Sequence, residues 1–444
     1  MSTRRRFVFV GAMGVVAALL LSACDWTQFR YGPARTGFNP TETKISPANV
    51  GTLVEAWSAA TGGVVSSSPA VAVGVAYVGS YDGKLYAFDA AGATGCSATP
   101  KTCSPLWTAT TGGAIYSSPA VANGVVYVGS GDGKLYAFDA AGATGCSGAP
   151  TTCSPLWTAN TTGGAIDSSP AVANGVVYVS SDDGTLYALD AAGVTGCSRS
   201  PERKTCAPLW TAATASLPSS SPAVANGIVY ASSIYGELYA FDAAGVKGCS
   251  GSPKTCSPLW TYVGLYSTFL VPAVANGVVY VGSFDRNDWG LYAFDAAGVK
   301  GCSGIPKTCS PLWTAAPNAN VFSSPAVANG VVYVAGLDGV LYAFDAAGCG
   351  QPLGQNCAPL WTSVFLSGEV LGSPAVANGV VFVATWAGFL SAFDAAGCGQ
   401  LPLERCNPVW TEFVGESSES SPAVANGVVY VGSYDKNLHA YQLP

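Results

Sequence analysis

Fifteen cysteines and a single histidine carry most of the reactive chemistry in this 444-residue chain. Fourteen of the cysteines fall into seven near pairs: Cys96/Cys103, Cys146/Cys153, Cys197/Cys206, Cys249/Cys256, Cys302/Cys309, Cys349/Cys357 and Cys398/Cys406. Each pair lies between a stretch containing Asp-Ala-Ala-Gly and one beginning Pro-Leu-Trp or a close variant. A zinc site would need four converging ligands, as two C-x₂₋₄-C pairs or with histidine partners. Here the pairs are isolated, six to eight residues separate the partners, and only His439 is available. Disulfides formed in an oxidising compartment fit better. Each would close a short loop and stabilise the fold by roughly 2–3 kcal/mol through chain entropy. His439 occupies a repeat position held by Tyr in most copies, so it offers no catalytic triad.

The fifteenth cysteine stands apart. A basic start with Arg4, Arg5 and Arg6 leads into an apolar stretch from about Phe7 to Leu21, then Leu21-Ser22-Ala23-Cys24. The apolar run is short for a membrane span and has the layout of a signal peptide over residues 1–23. Leu21-Ser22-Ala23-Cys24 resembles the lipobox of bacterial lipoproteins. That resemblance implies that Cys24 becomes the acylated first residue of an exported, membrane-anchored protein. Thr3-Arg4-Arg5-Arg6-Phe7-Val8 is similar to a twin-arginine export signal, and the export route stays open.

The elements that must position these residues are written in the repeats. Pro-Ala-Val recurs at Pro69, Pro119, Pro170, Pro222, Pro272, Pro325, Pro374 and Pro422, 48 to 53 residues apart. Trp57, Trp107, Trp157, Trp210, Trp260, Trp313, Trp361 and Trp410 keep the same rhythm. A β-rich unit of this length predicts a propeller. Within one unit, Ser-Pro-Ala-Val-Ala precedes Asn-Gly, a two-residue hairpin turn. Val-Val-Tyr-Val-Gly-Ser follows, then Asp-Gly, then Lys-Leu-Tyr-Ala-Phe-Asp-Ala with strand alternation. After the cysteine loop comes Pro-Leu-Trp-Thr-Ala. Four antiparallel strands make one blade, and copies must stack in a ring to bury both faces.

The strand around Trp57 has no partners before it, and the chain ends on a third strand. The N-terminal strand is therefore expected to complete the last blade and remove an exposed edge. The fold class read from this is all-β: an eight-bladed propeller of four-stranded antiparallel blades over residues 51–444. Residues 24–50 read as an anchor and lead-in linker. The repeated Trp, Tyr, Ala and Gly read as blade-to-blade packing, and the Asp of Phe-Asp-Ala as a cap on the amides of the next turn.

Ala87-x-Asp89, Thr94-Gly95 and the later Trp107 resemble a stretched tryptophan-docking motif of the PQQ-type propellers. Trp26-Thr27-Gln28-Phe29-Arg30 and Arg35-Thr36-Gly37-Phe38-Asn39-Pro40 are similar to the lead-in of the same superfamily. The superfamily includes quinone-dependent dehydrogenases and non-enzymatic, BamB-like lipoproteins of the envelope. The enzymes set a disulfide of adjacent cysteines against the quinone and bind Ca²⁺ through a Glu/Asn/Asp set. Neither is present in this sequence, so PQQ and Ca²⁺ are considered and not expected, and no catalytic residue is assigned.

Function is sought where the copies disagree. The Asn-Gly turns and cysteine loops should share one nearly invariant face. The Asp-Gly turns and the stretches before each Ser-Pro should share the other, variable one. Three residues before each proline stand Ser66, Tyr116, Asp167, Ser219, Phe269, Phe322, Leu371 and Glu419, expected around the mouth of a central channel. Aromatic and acidic residues there suit a binding rim. Trp289, in the one insertion beside Asp285 and Asp288, and Trp386 add aromatics to the same face. The candidate binding residues are thus Tyr116, Asp167, Phe269, Phe322, Glu419, Trp289 and Trp386. Loss of Arg4, Arg5 and Arg6 would move the net charge from −7 to −10, which disfavours nucleic acid. The expectation is a monomeric binding or scaffold protein with a protein or glycan partner; a quinone-dependent oxidoreductase and a carbohydrate-binding propeller are the alternatives.

Overall fold

Eight sheets stand around a central axis, each built on four antiparallel strands; a short cysteine hairpin separates the third strand from the fourth in the chain, and the last blade takes its fourth strand from the N-terminal side. The computed structural model describes residues 24–198, 204–214, 220–265, 271–283, 290–316, 320–350, 356–399 and 405–444. Blade 2 is typical: Ala120–Ala122 lies innermost, then Val125–Ser130, Lys134–Asp139 and, outermost, Trp157–Asn160. The hairpin register is set by Asn123-Gly124, with φ of 52° and 77°, the left-handed pair that a two-residue turn requires. Seven repeats place Asn at this corner. The first has Val73, held at φ 50° although β-branched side chains resist that region.

Closure follows the expected exchange. Val54–Ala60 pairs antiparallel with Asn437–Gln442, so the first long strand completes the eighth blade. Blades meet through buried aromatics. The Trp57 indole N–H donates to Ala90 O of the following blade, and a Cβ on Gly92 would stand 2.1 Å from the Trp57 ring. The same relation joins Trp107 to Gly142. Every docking Trp except Trp410 therefore seats against the Asp-Ala-Ala-Gly turn of the next blade rather than of its own repeat. Tyr hydroxyls cross the same seams, Tyr77 to Ala140 O and, around the closure, Tyr430 to Ala90 O, both at 2.9 Å. The repeated Asp residues cap the turn that follows, as Asp89 does for the amides of Ala91, Ala93 and Thr94.

All seven cysteine pairs form disulfides within their own loops. Their placement adds something the spacing did not reveal. The bridged hairpin of one blade pairs with the outer strand of the preceding blade, Thr152 and Cys153 beside Thr108 and Ala109. Each hairpin is therefore a clasp across a seam. Among the described residues, the seam between blades 7 and 8 carries no such clasp. There the Trp410 indole N–H donates to Leu53 O beside the short 3-10 turn Val50–Thr52.

The same pairing adds to the reading of the cysteines as loop disulfides, which all seven bridges bear out. The two members of a bridge are not equivalent. The second member, Cys103, Cys153, Cys206, Cys256, Cys309, Cys357 or Cys406, is buried in every repeat. The first, Cys96, Cys146, Cys197, Cys249, Cys302, Cys349 or Cys398, is half-buried or exposed. Each buried sulfur belongs to the apolar core of the seam it clasps. Cys103 shares that core with Trp57, Cys153 with Trp107, Cys206 with Trp157 and Cys256 with Trp210. Cys309 shares it with Trp260, Cys357 with Trp313 and Cys406 with Trp361. The cause is strand alternation: pairing with the preceding blade turns the second cysteine inward and the residue before it, such as Thr102 or Thr152, outward. These seven residues are thus core side chains as well as disulfide partners, and a half-cystine packs there as a small apolar group.

His439 replaces a tyrosine that elsewhere bonds an Asp of the turn, as Tyr136 bonds Asp132 at 2.6 Å. It lies between Glu55 Oε1 at 2.8 Å and Asp435 Oδ2 at 2.9 Å. Burial alone would lower its pKa, but the bonds to Asp435 and Glu55 prevail and raise it from 6.5 to about 9. A raised folded pKa gives stabilisation that is complete below about 6.5 and lost as pH rises through about 9. The full loss is on the order of 3 kcal/mol. Denaturant midpoints measured from pH 6 to pH 10 should fall across this window, and those of His439→Tyr should stay nearly flat there.

Candidate functional site

The lead-in segment, expected as a linker, is instead part of the ring. Between Trp26 and Asn39 it visits the central Val of all eight innermost strands. Trp26 exchanges backbone bonds with Val71, Thr27 O accepts from Val121, and the Gln28 amide both accepts from and donates to Val172. Pro33, Ala34, Thr36 and Gly37 carbonyls accept from Val224, Val274, Val327 and Val376, and Asn39 Nδ2 reaches Val424 O. This corrects the linker reading: inner strands would otherwise present unpaired amides toward the axis, and buried amides need acceptors.

Two arginines lock the segment in place. Arg35 is fully buried and donates to Phe29 O, Ser169 O, Pro170 O and Pro222 O, at 2.8 to 3.0 Å. Arg30, also buried, donates to Pro325 O. Burial lowers both guanidinium pKa values to about 9, the nearby Arg35 charge adding to the effect on Arg30, so both remain cationic at neutral pH. One end of the channel is thus plugged.

The other end is a cavity of about 410 Å³ with Phe29 of the plug among its lining residues. That volume lies in the range of small-ligand pockets. Its wall carries a belt of serines, one before each Pro-Ala-Val proline, with Val271 in the fifth blade. The belt runs from blade to blade: the Ser68 amide donates to Ser118 Oγ, Ser118 to Ser169, and Ser421 back to Ser68 across the closure. Two residues nearer the mouth stand the variable positions. Ser66, Tyr116, Asp167, Phe322, Leu371 and Glu419 all line the cavity, as their place before the prolines predicted. Ser219, Phe269 and Trp289, with Asp285 and Asp288, lie outside the described residues.

Trp386 belongs to an aromatic arc that sequence reasoning did not assemble. Trp386 meets Tyr434 edge-on at 5.3 Å, Tyr434 meets Tyr81 at 6.3 Å, and Tyr81 packs on Tyr116 at 4.5 Å. Tyr81, Trp386 and Tyr434 open the variable turns of blades 1, 7 and 8, so the arc spans neighbouring blades. Tyr434 hydrogen-bonds Tyr81 and Glu419, and burial and these bonds raise its pKa. Tyr116 and Trp386 remain open to solvent, at 43% and 37% exposure. In the blade next to Tyr116, burial first and Asp182 second raise the pKa of Asp167 to about 6. Among the described residues its buried Oδ1 has no hydrogen-bond partner. Among those residues, too, no Lys or Arg lines the cavity. The described mouth therefore presents carboxylates and aromatic faces without a neutralising cation.

Comparison with known proteins bears on the fold. Residues 53–145 match the family described as outer membrane protein assembly factor BamB. BamB from Moraxella catarrhalis superposes with a TM-score of 0.61 at 16% identity, covering 88% of this chain and 97% of that one. The quinohemoprotein alcohol dehydrogenase from Comamonas testosteroni gives 0.66 at 16% identity, over 94% and 80%. A europium-containing methanol dehydrogenase gives 0.63 at 15% identity, over 95% and 98%. No curated protein sequence matches the chain. At these identities the likeness speaks for the fold.

A quinone cofactor can be tested against the residues present. Pyrroloquinoline quinone carries three carboxylates, and a pocket for it must supply cations. The channel lining offers Asp167 and Glu419 instead; Arg35 is turned to backbone carbonyls, and Arg30 bonds Pro325 O while its buried Nε and Nη1 have no hydrogen-bond partner among the described residues. No disulfide joins adjacent cysteines; sequence separations run from 7 to 9. These residues do not fit the quinone.

Proposed function

From a chain built as an eight-bladed PQQ-type propeller, we propose a non-enzymatic binding protein of the cell envelope, tethered through Cys24, that engages its partner at the open channel mouth. The observation that carries this is the unneutralised Asp167 and Glu419 beside exposed aromatics in a cavity plugged at its far end. Carboxylates and aromatic faces together favour a cation, which gains from both charge and ring quadrupole. The partner chemistry proposed is a basic side chain or peptide segment. The seven disulfides support export, since they persist in oxidising compartments.

A lysine- and arginine-rich peptide should bind the full chain, and an equally long glutamate-rich peptide should not. The double variant Asp167→Asn/Glu419→Gln should weaken binding at least tenfold by calorimetry. Because the Asp167 pKa is raised to about 6, affinity should also decline as pH falls through that value. Unchanged affinity in the double variant, or equal binding of both peptides, would discard the reading. The exposed arc favours a second ligand class, a glycan stacked on Trp386 and Tyr116. Glycan binding lost in Trp386→Ala, with the basic peptide unaffected, would select it.

A further inference from the structure

We propose that the disulfide face lies flat against the membrane surface, so that the channel mouth points away from the bilayer. The inference rests on the proposed envelope tether and adds an orientation and a second contact surface. Topology puts every cysteine hairpin and every Asn-Gly corner on one side of the ring. Cys24 emerges on that same side. Its carbonyl accepts from Asn39 Nδ2, and the next residue, Asp25, accepts from the amide of Val73 in the first corner and from Asn426 in the last. The apolar stretch Phe7–Leu21 precedes this point in the chain, so whether Cys24 is acylated or the stretch is kept, the tether leaves from this face.

Charge divides the same way. Lys44, Lys101, Lys247, Lys254, Lys300 and Lys307 are all exposed on the disulfide face. The carboxylates there are at least as numerous and accept from backbone amides: Asp89, Asp139, Asp190, Asp242, Asp295, Asp345 and Asp394 from their turns, Glu42 from Gly427 and Asp25 from Val73. The opposite face carries Asp132, Asp167, Asp182, Asp338, Glu369 and Glu419 against Lys84, Lys134 and Lys436. The disulfide face is therefore close to charge-balanced, and the acidic rim is the face that anionic headgroups repel.

Both faces expose apolar side chains, aromatic ones such as Tyr235, Phe365 and Trp386 on the rim side and aliphatic ones on the disulfide face. Val194, Val246 and Val299 occupy one repeat position, immediately after Asp-Ala-Ala-Gly, and each is 71% exposed. Ile305 stands fully exposed at a hairpin tip, and Val73 is exposed in a backbone conformation that the other repeats give to Asn. Isolated aliphatics among lysines, all on one face, suit the headgroup boundary, where a single acyl chain needs such a second signal to hold.

The test labels amines on the full chain. Opened membranes from cells expressing it are treated with a membrane-impermeant amine reagent, before and after detergent release, and the sites are quantified by mass spectrometry. Lys101, Lys247 and Lys300 should label at least threefold less in membranes than in detergent, while Lys84, Lys134 and Lys436 should not change. Uniform labelling of a chain that sediments with membranes, or protection of the acidic face, overturns the orientation alone. Recovery of the chain in the soluble fraction overturns the tether and the orientation together.

Discussion

Arg35→Ala should cost about 3–5 kcal/mol of stability, as losing a buried hydrogen-bonded charge does elsewhere. The side chain donates to four carbonyls from three parts of the ring: Phe29, Ser169 with Pro170, and Pro222. Truncation leaves those carbonyls without their donor in a buried site, where each orphaned group costs about 1–3 kcal/mol. Relief of the desolvation that lowers the Arg35 pKa offsets part of this, which is why the expected cost is below the simple total. Arg35→Lys should recover only a fraction, since one ammonium cannot span acceptors placed for a planar fork. Guanidinium unfolding of the three proteins checks the order wild type, Lys, Ala. The amides of Val224 and Val274, bonded to the plug beside Arg35, should exchange faster in the alanine variant. A cost below about 1 kcal/mol would mean that the plug contributes little to ring closure.

Reduction should have the largest effect of any treatment. Each bridge closes a loop of 7 to 9 residues, worth about 2.5 kcal/mol on the chain-entropy estimate. Seven independent contributions would reach about 18 kcal/mol, an upper limit that equals or exceeds the whole stability of most domains. The bridges also hold hairpins against neighbouring blades, so their loss frees seven seams at once. One sulfur of each bridge lies in a seam core, so a freed hairpin also withdraws a packed side chain from beside its docking Trp. The fully reduced chain should unfold well below the melting temperature of the oxidised one. Circular dichroism melts with and without reductant, with thiols counted in each sample, test this. A shift of only a few degrees after complete reduction would show that backbone pairing alone holds the clasps.

The ring was legible because its determinants are local and repeated. Asn-Gly corners demand left-handed backbone, Asp after Phe caps its own turn, and the orphan strand at Trp57 has one place to go. The rim positions before the prolines were legible for the same reason: strand direction assigns them to a face. The plug was not. Residues 26–39 have no periodicity, and their bonds to the inner strands run largely through carbonyls, which leave no mark in the side chains. The signals were the lead-in resemblance at Trp26–Arg30 and Arg35–Pro40 and two arginines, Arg30 and Arg35, in an otherwise uncharged stretch. The clasps escaped notice because the hairpins pair through backbone, which any sequence supplies. For the same reason nothing in the spacing of Cys103 or its counterparts marked the second cysteine of a pair as the buried one. The arc from Trp386 to Tyr116 was hidden because Tyr81 and Tyr434 sit in turns that read as hairpin corners.

Hydrogen exchange of the full chain, with and without the basic peptide, tests most directly that recognition belongs to the open rim. The account predicts slowed exchange near Tyr116, Asp167, Leu371 and Glu419 and in the turns at Tyr81 and Tyr434, with no change in the Asn-Gly corners or cysteine hairpins. Protection centred on the hairpins, or none at the rim under saturating peptide, would contradict it.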